Sequence, residues 1–165
     1  MSGSIVAKPS PVGSAIGILA GLLATAAAVG FSAPAAVSSL AGMVVLLIGI
    51  VLPRPGLITG GAVFLVAGVV LAGLSGAPGV AVGVGFVGAV VAWDVSHNSL
   101  SHGRQVGRDA PTASTEAIHA GASLLVGFVG VGMGYGIFSF AGTGQPASAV
   151  ALLTIGAIAL VLAVK

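Results

Sequence analysis

The chain has 165 residues, 57% hydrophobic and 5% charged, with five Lys or Arg against three Asp or Glu and a formal net charge of +2. An ordinary soluble domain carries about 25% charged side chains, so this composition excludes a water-soluble globular surface, and so few bases form no footprint for nucleic acid. The absence of cysteine removes disulfides, thiolate nucleophiles and Cys-ligated zinc.

An α-helix needs about 20 apolar residues to cross a hydrocarbon core of about 30 Å. Six runs qualify, near 12–31, 35–52, 57–74, 77–93, 118–140 and 147–164. None alternates apolar and polar residues as the strands of a membrane barrel do. The expected fold is therefore all-α, an integral membrane bundle of six transmembrane helices forming one domain over 1–165. The first run follows Lys8 and precedes Ala33-Pro34-Ala35, which has the small-x-small form of a signal cleavage site. Its length exceeds the usual 7 to 15 residues of a signal core by about five, which predicts a retained anchor.

The connections fall into two kinds. Ser32-Ala33-Pro34, Ser75 to Gly79 and Gly142 to Pro146 are short and uncharged, and each carries a proline suited to opening the next helix. Pro53-Arg54-Pro55-Gly56 and the long connection 94–117 carry bases. Threading the six runs through a bilayer puts Lys8, Arg54, Arg104, Arg108 and Lys165 on one side. Because Lys and Arg are retained on the cytoplasmic face, a multi-pass cell-membrane protein with both termini cytoplasmic is expected.

Within the runs, Gly83-Val84-Gly85-Phe86-Val87-Gly88 spells GxGxxG. That fingerprint binds a dinucleotide only where a strand meets a helix amino terminus, so inside an apolar span it reads as a face for close helix packing. The same reading applies to Gly13-x-x-x-Gly17-x-x-x-Gly21, Gly79-x-x-x-Gly83 and the series Gly130, Gly132, Gly134, Gly136. No ionisable residue sits at the middle of a run, which argues against ion- or proton-coupled transport. Small hydroxyls such as Thr25, Ser38, Ser39, Thr59, Ser123 and Thr154 leave a passive small-solute conduit as a minor alternative.

The connection 94–117 holds every acid and two of the three histidines, and the third, His119, follows two residues beyond it. From Trp93 to Arg108 it continues helix 4 into the cytoplasm, and at 100° per residue Asp94, His97, Ser101, Arg104 and Arg108 share a stripe about 80° wide. Trp93 suits the headgroup level, and Trp93, Arg104 and Arg108 are the expected contacts to anionic lipid or a partner. The segment breaks at Asp109-Ala110-Pro111, after which Thr112 or Ser114 caps helix 5 and Glu116 lies in its first turn. Glu116 and His119 are spaced i, i+3, with Ser123 one turn deeper, and Asp94 and His97 repeat the spacing. On antiparallel helices Asp94 is level with His119 and His97 with Glu116, a four-ligand set for a divalent metal, the one cofactor this pattern suggests. Di-iron bundles, however, draw on four helices and further glutamates. A simpler reading pairs Arg104 or Arg108 with Asp94, Asp109 or Glu116 and pins the loop to the bundle. Ser96, Ser99 and Ser101 lie near His97 and His102 without a nucleophile elbow or an ordered triad, so no catalytic residue is assigned.

The stretch from Trp93-Asp94 through Gly103-Arg104-Gln105-Val106-Gly107-Arg108 to Glu116-Ala117-Ile118-His119-Ala120-Gly121 resembles the central segment of an uncharacterised family of small haloarchaeal multi-pass membrane proteins. The resemblance implies a multi-helix membrane frame without an assigned activity and marks Asp94, Arg104, Arg108, Glu116 and His119 as positions to test. The scarcity of acids departs from halophile habit. The expected function is a non-enzymatic membrane component that docks a soluble partner or a sister subunit through 94–117. A membrane-surface metalloenzyme using Asp94, His97, Glu116 and His119 is the first alternative and the conduit the second.

Overall fold

The computed structural model describes residues 10–106 and 113–141, with side chains placed through Gly103 and again over 113–136. Among the described residues five helices follow one another: α1 (Pro11–Ala28), α2 (Ala33–Val51), α3 (Pro55–Leu74), α4 (Gly79–Val106) and α5 (Ala113–Ala141). The described residues contain no strand. All five helices are long and apolar enough to span a membrane. The sixth expected span, 147–164, lies outside the described residues. The chain divides into two compact units, Met1–Gly132 and Met133–Lys165. In the second, the described part is helical over 133–141, with Met133 and Tyr135 exposed.

Local chemistry sets the ends of the first three helices. Ser10 caps α1, its hydroxyl accepting from the Gly13 amide, and Pro11 follows; Ser32 caps α2 ahead of Pro34, and Pro55 opens α3 behind Arg54. Proline lacks only an amide that a first turn leaves unpaired anyway. At the end of α3, Gly76 adopts φ +90°, the Gly76 amide donates to the Gly73 carbonyl and the Ala77 amide to the Ala72 carbonyl. This is the paired closure that a left-handed residue after a helix permits, and only glycine adopts it without steric cost.

Packing contacts define an up-and-down order within the first unit. Gly42 faces the backbone at Gly61 and Leu65, and Gly49 faces Ile58, so α2 and α3 run antiparallel. A β-carbon on Gly42 would stand 2.6 Å from the Leu65 amide nitrogen, which means the two backbones touch there and no larger residue fits. Gly13 meets Ser99, Gly17 meets Ser96 and Gly88 meets Ala20 and Ala24, which makes α1 and α4 antiparallel as well. Gly83 against Val131 and Gly127 against Val87 set α5 antiparallel to α4. The GxGxxG run thus packs helices on all three of its glycines, with Gly85 against Val69 and Ala27. In contrast, Gly130 and Gly132 face open space.

The interior is a layer of Leu46, Ile58, Leu65 and Leu100 with Ala24, Ala89 and Ala92 between them, and Ala120, Leu124 and Val131 of α5 meet Val87, Val91 and Val95 of α4. Outside, Leu19, Val37, Val63, Val80 and Ile118 are each more than 60% exposed. Apolar side chains on every helix turned outward on this scale suit a lipid solvent. The order of helices places Ser10, Arg54, the end of α4 and the start of α5 at one end of the bundle.

Two boundaries differ from the sequence reading. Helix 4 is expected to leave the apolar span at Trp93 and helix 5 to enter it at Ile118, whereas the apolar spans extend over Gly79–Gly103 and Ala113–Gly136. The segment 94–117 is thus mostly helix: 94–106 belong to α4 and 113–117 to α5. Polar side chains do not end a helix whose backbone ladder continues, and the first helix breaker after Trp93 that removes an amide is Pro111.

Candidate functional site

The described acids lie in two polar knots at this end of the bundle. In the first, Glu116 is 1% exposed although it stands in the first turn of α5. The Ser10 hydroxyl donates to Glu116 Oε2 in a short hydrogen bond, and the Gly13 amide donates to the same hydroxyl at 3.0 Å. Ser99 on α4 completes the knot, accepting from the Ser10 amide at 3.0 Å and donating to the Ser10 hydroxyl at 3.3 Å. His102 Nδ1 is 3.9 Å from Glu116 Oε1. Three helices meet here only because position 13 is glycine: a β-carbon would lie 2.5 Å from Ser99 Cβ and 2.9 Å from Glu116 Oε2. The carboxylate therefore sits at the positive, amide-rich end of α1, where negative charge is stabilised.

The second knot is half-exposed. Ser123 on α5 donates to Asp94 Oδ2 at 2.5 Å, and His119 Nε2 lies 2.9 Å from the same oxygen. This places Asp94 level with His119, as antiparallel helices require. His97 does not join Glu116: its ring rests on Trp93, centroids 5.8 Å apart. Trp93, 41% exposed, donates from Nε1 to Thr59 Oγ1 at 3.2 Å, linking α4 to α3.

Asp94, His97, Glu116 and His119 thus stand in three places: Asp94 with His119, Glu116 with Ser10 and His102, and His97 with Trp93. No group of three or more His, Asp or Glu close enough to hold a metal occurs among the described residues. The physical reason is α1. Read as an isolated pair, α4 and α5 would bring Glu116 to His97, but the amino end of α1 lies against both helices and its cap draws the Glu116 carboxylate to itself. What the knots do chemically is tie: Glu116 fastens α5 to α1, and Asp94 fastens α5 to α4.

A family model matches residues 7–161. The chain belongs to the DUF7519 family of unknown function. No curated protein and no solved structure matches it.

In this DUF7519 member the matched region includes both knots. The Arg104 side chain and Arg108 lie outside the described residues, as do Asp109, Lys8 and Lys165. Sequence reasoning missed Ser10, Gly13 and Ser99 as parts of the Glu116 knot, and Thr59 as the partner of Trp93. One signal was present: Ser10-Pro11 has the cap-then-proline form of a helix start, and a cap of that kind at the same end as an isolated glutamate is a ready acceptor and donor. Among the described residues three buried side-chain atoms have no hydrogen bond: Ser96 Oγ against Gly17, His102 Nδ1 beside Glu116, and His119 Nε2, which faces Asp94 as an ion pair.

Proposed function

We propose that the chain is a multi-pass protein of the cell membrane, with its termini on the cytoplasmic side, that works as a non-enzymatic component docking a soluble partner or a sister subunit through the α4–α5 end. The observation that carries this reading is the burial of Glu116 in the α1 cap. It makes the end of the bundle a braced platform: the acids of α4 and α5 turn inward to other helices, and Trp93 and Ile118 face outward. A platform held by internal ties suits recognition, because less conformational freedom is lost on binding. The cytoplasmic orientation rests on Arg54 at that end together with Lys8, Arg104, Arg108 and Lys165 by topology. A haloarchaeal source belongs to the same reading and rests on the resemblance of the 93–121 stretch.

The test is purification in mild detergent with identification of co-purifying protein and elemental analysis of the same sample. A partner retained by the native chain and lost from an Arg104→Glu/Arg108→Glu double variant supports docking at this end. An unchanged set of co-purifying proteins refutes it. Stoichiometric metal that survives dialysis and is released by His119→Ala would favour the metalloenzyme instead.

A further inference from the structure

Among the described residues α5 is the least embedded helix: 6% of its apolar span is buried, against 33% to 50% for α1 to α4. Its apolar seat is a single row, Ala120, Leu124 and Val131 against Val87, Val91 and Val95 of α4. Two carboxylate–imidazole pairs add to that seat, and each helix supplies one partner of each. His102 of α4 faces Glu116 of α5 at 3.9 Å, and His119 of α5 faces Asp94 of α4 at 2.9 Å. The facing nitrogens, His102 Nδ1 and His119 Nε2, are buried and make no hydrogen bond. The rest of each ring reaches the surface, the side chains being 28% and 39% exposed, so both can exchange protons with water.

A neutral imidazole has one N–H and one bare nitrogen, which a carboxylate repels, whereas a protonated one donates from both nitrogens. Each pair is therefore an attraction between full charges only while its histidine holds the extra proton, and an imidazole ordinarily changes charge between about pH 5 and 8. Few other charges face the pairs. α1 and α2 carry no ionisable side chain over 10–28 and 33–51, α3 has only the exposed Arg54 at its start, and His97 of α4 rests on Trp93. We propose that the contact of α5 with α4 is a proton-operated latch, closed while His102 and His119 are protonated and loosened when they lose the proton. The added stability is present in acid and is lost as the pH rises. Glu116, 1% exposed, is screened least, so His102 carries most of the effect, and the half-exposed Asp94–His119 pair adds less. The Ser10 and Ser123 hydroxyls donate to the two carboxylates whatever the state of the histidines, so α5 loosens without detaching. The latch stands whether or not a partner docks at this end.

Because the chain has no cysteine, a single introduced one reports local opening. Three full-length variants are labelled in mild detergent with a thiosulfonate reagent at about pH 5.5 and about pH 8. Ala120→Cys lies at the α4–α5 seat, where position 120 is 4% exposed; Gly121→Cys enters open space beside it; and Ala72→Cys lies in the packing of α1, α2 and α3, where position 72 is 1% exposed. Division by the Gly121→Cys rate removes the pH dependence of the thiol itself. The corrected rate at Ala120→Cys is expected to rise about tenfold from the lower pH to the higher, the size of a strong polar coupling between membrane helices, while that at Ala72→Cys stays constant. Added to Ala120→Cys, His102→Gln should give the fast rate at both pH values within about twofold. The His102→Gln/His119→Gln pair should abolish the remaining dependence, and His97→Gln should leave the full rise. Equal corrected rates in the otherwise native chain, a faster rate in acid, or a rise that survives the double substitution overturns the latch. So does a parallel rise at Ala72→Cys, because the whole bundle is then opening.

Discussion

Alanine at Ser10 and at Glu116, singly and together, measures how strongly α5 is fastened to α1. Glu116 is almost wholly buried, and its carboxylate accepts the Ser10 hydroxyl at the start of α1. A hydrogen bond to a charged group contributes about 1.5–3 kcal/mol, and a carboxylate at a partly buried helix amino terminus about 1–2 kcal/mol, two figures that overlap because one oxygen supplies both. In a membrane the unfolded chain also finds polar partners, and measured couplings between helices there average about 0.6 kcal/mol with a maximum near 1.7. Glu116→Ala is expected to cost about 2 kcal/mol and Ser10→Ala, which removes a helix cap, about 1 kcal/mol. The double variant should be less destabilised than the sum by about 1 kcal/mol, since the shared bond is lost only once. Glu116→Gln should fall between the native chain and Glu116→Ala, because the carboxamide oxygen still accepts from Ser10 and only the charge is lost. The assay is unfolding in mixed detergent micelles at fixed composition, followed by Trp93 fluorescence. Strict additivity of the two alanine variants, within about 0.3 kcal/mol, refutes the tie.

Two further outcomes separate packing from surface effects. Gly42→Ala puts a β-carbon 2.6 Å from the Leu65 amide nitrogen and should destabilise by about 1–3 kcal/mol, whereas Gly56→Ala enters open space and should be neutral or stabilising by up to about 1 kcal/mol; identical unfolding midpoints for the two would contradict the α2–α3 contact. Asp94→Asn breaks a pair whose partners are about a third exposed, so its cost should stay below about 1 kcal/mol and below that of Glu116→Ala in the same assay. A larger loss for Asp94→Asn than for Glu116→Ala would reverse the assigned importance of the two knots.

Much of the first unit is legible in the sequence because a membrane span is a one-dimensional signal. The runs near 35–52 and 57–74 correspond to α2 and α3 within two residues at each end, since Ser32, Pro34 and Pro55 mark their starts in local chemistry alone. The glycine repeat at 13, 17 and 21 is a packing face, as small residues between membrane helices imply. The pairing of Asp94 with His119 and Ser123 follows from antiparallel register on two neighbouring helices. The partner of Glu116 does not, because Ser10 lies 106 residues away on a helix that a pairwise reading of α4 and α5 leaves out. The Trp93–Thr59 bond is hidden for the same reason: position 59 is an unremarkable threonine until α3 is set beside α4.

The residue string alone determined that this chain builds apolar helices, where several of them begin, and that all three of its acids fall in one connection, because each of these is read from hydropathy, proline and caps within a single segment. Only the tertiary structure decided which helices touch and which polar atoms share a bond. Burial of a carboxylate at the cap of a distant helix is a property of three backbones converging at a glycine, and no local pattern encodes that convergence.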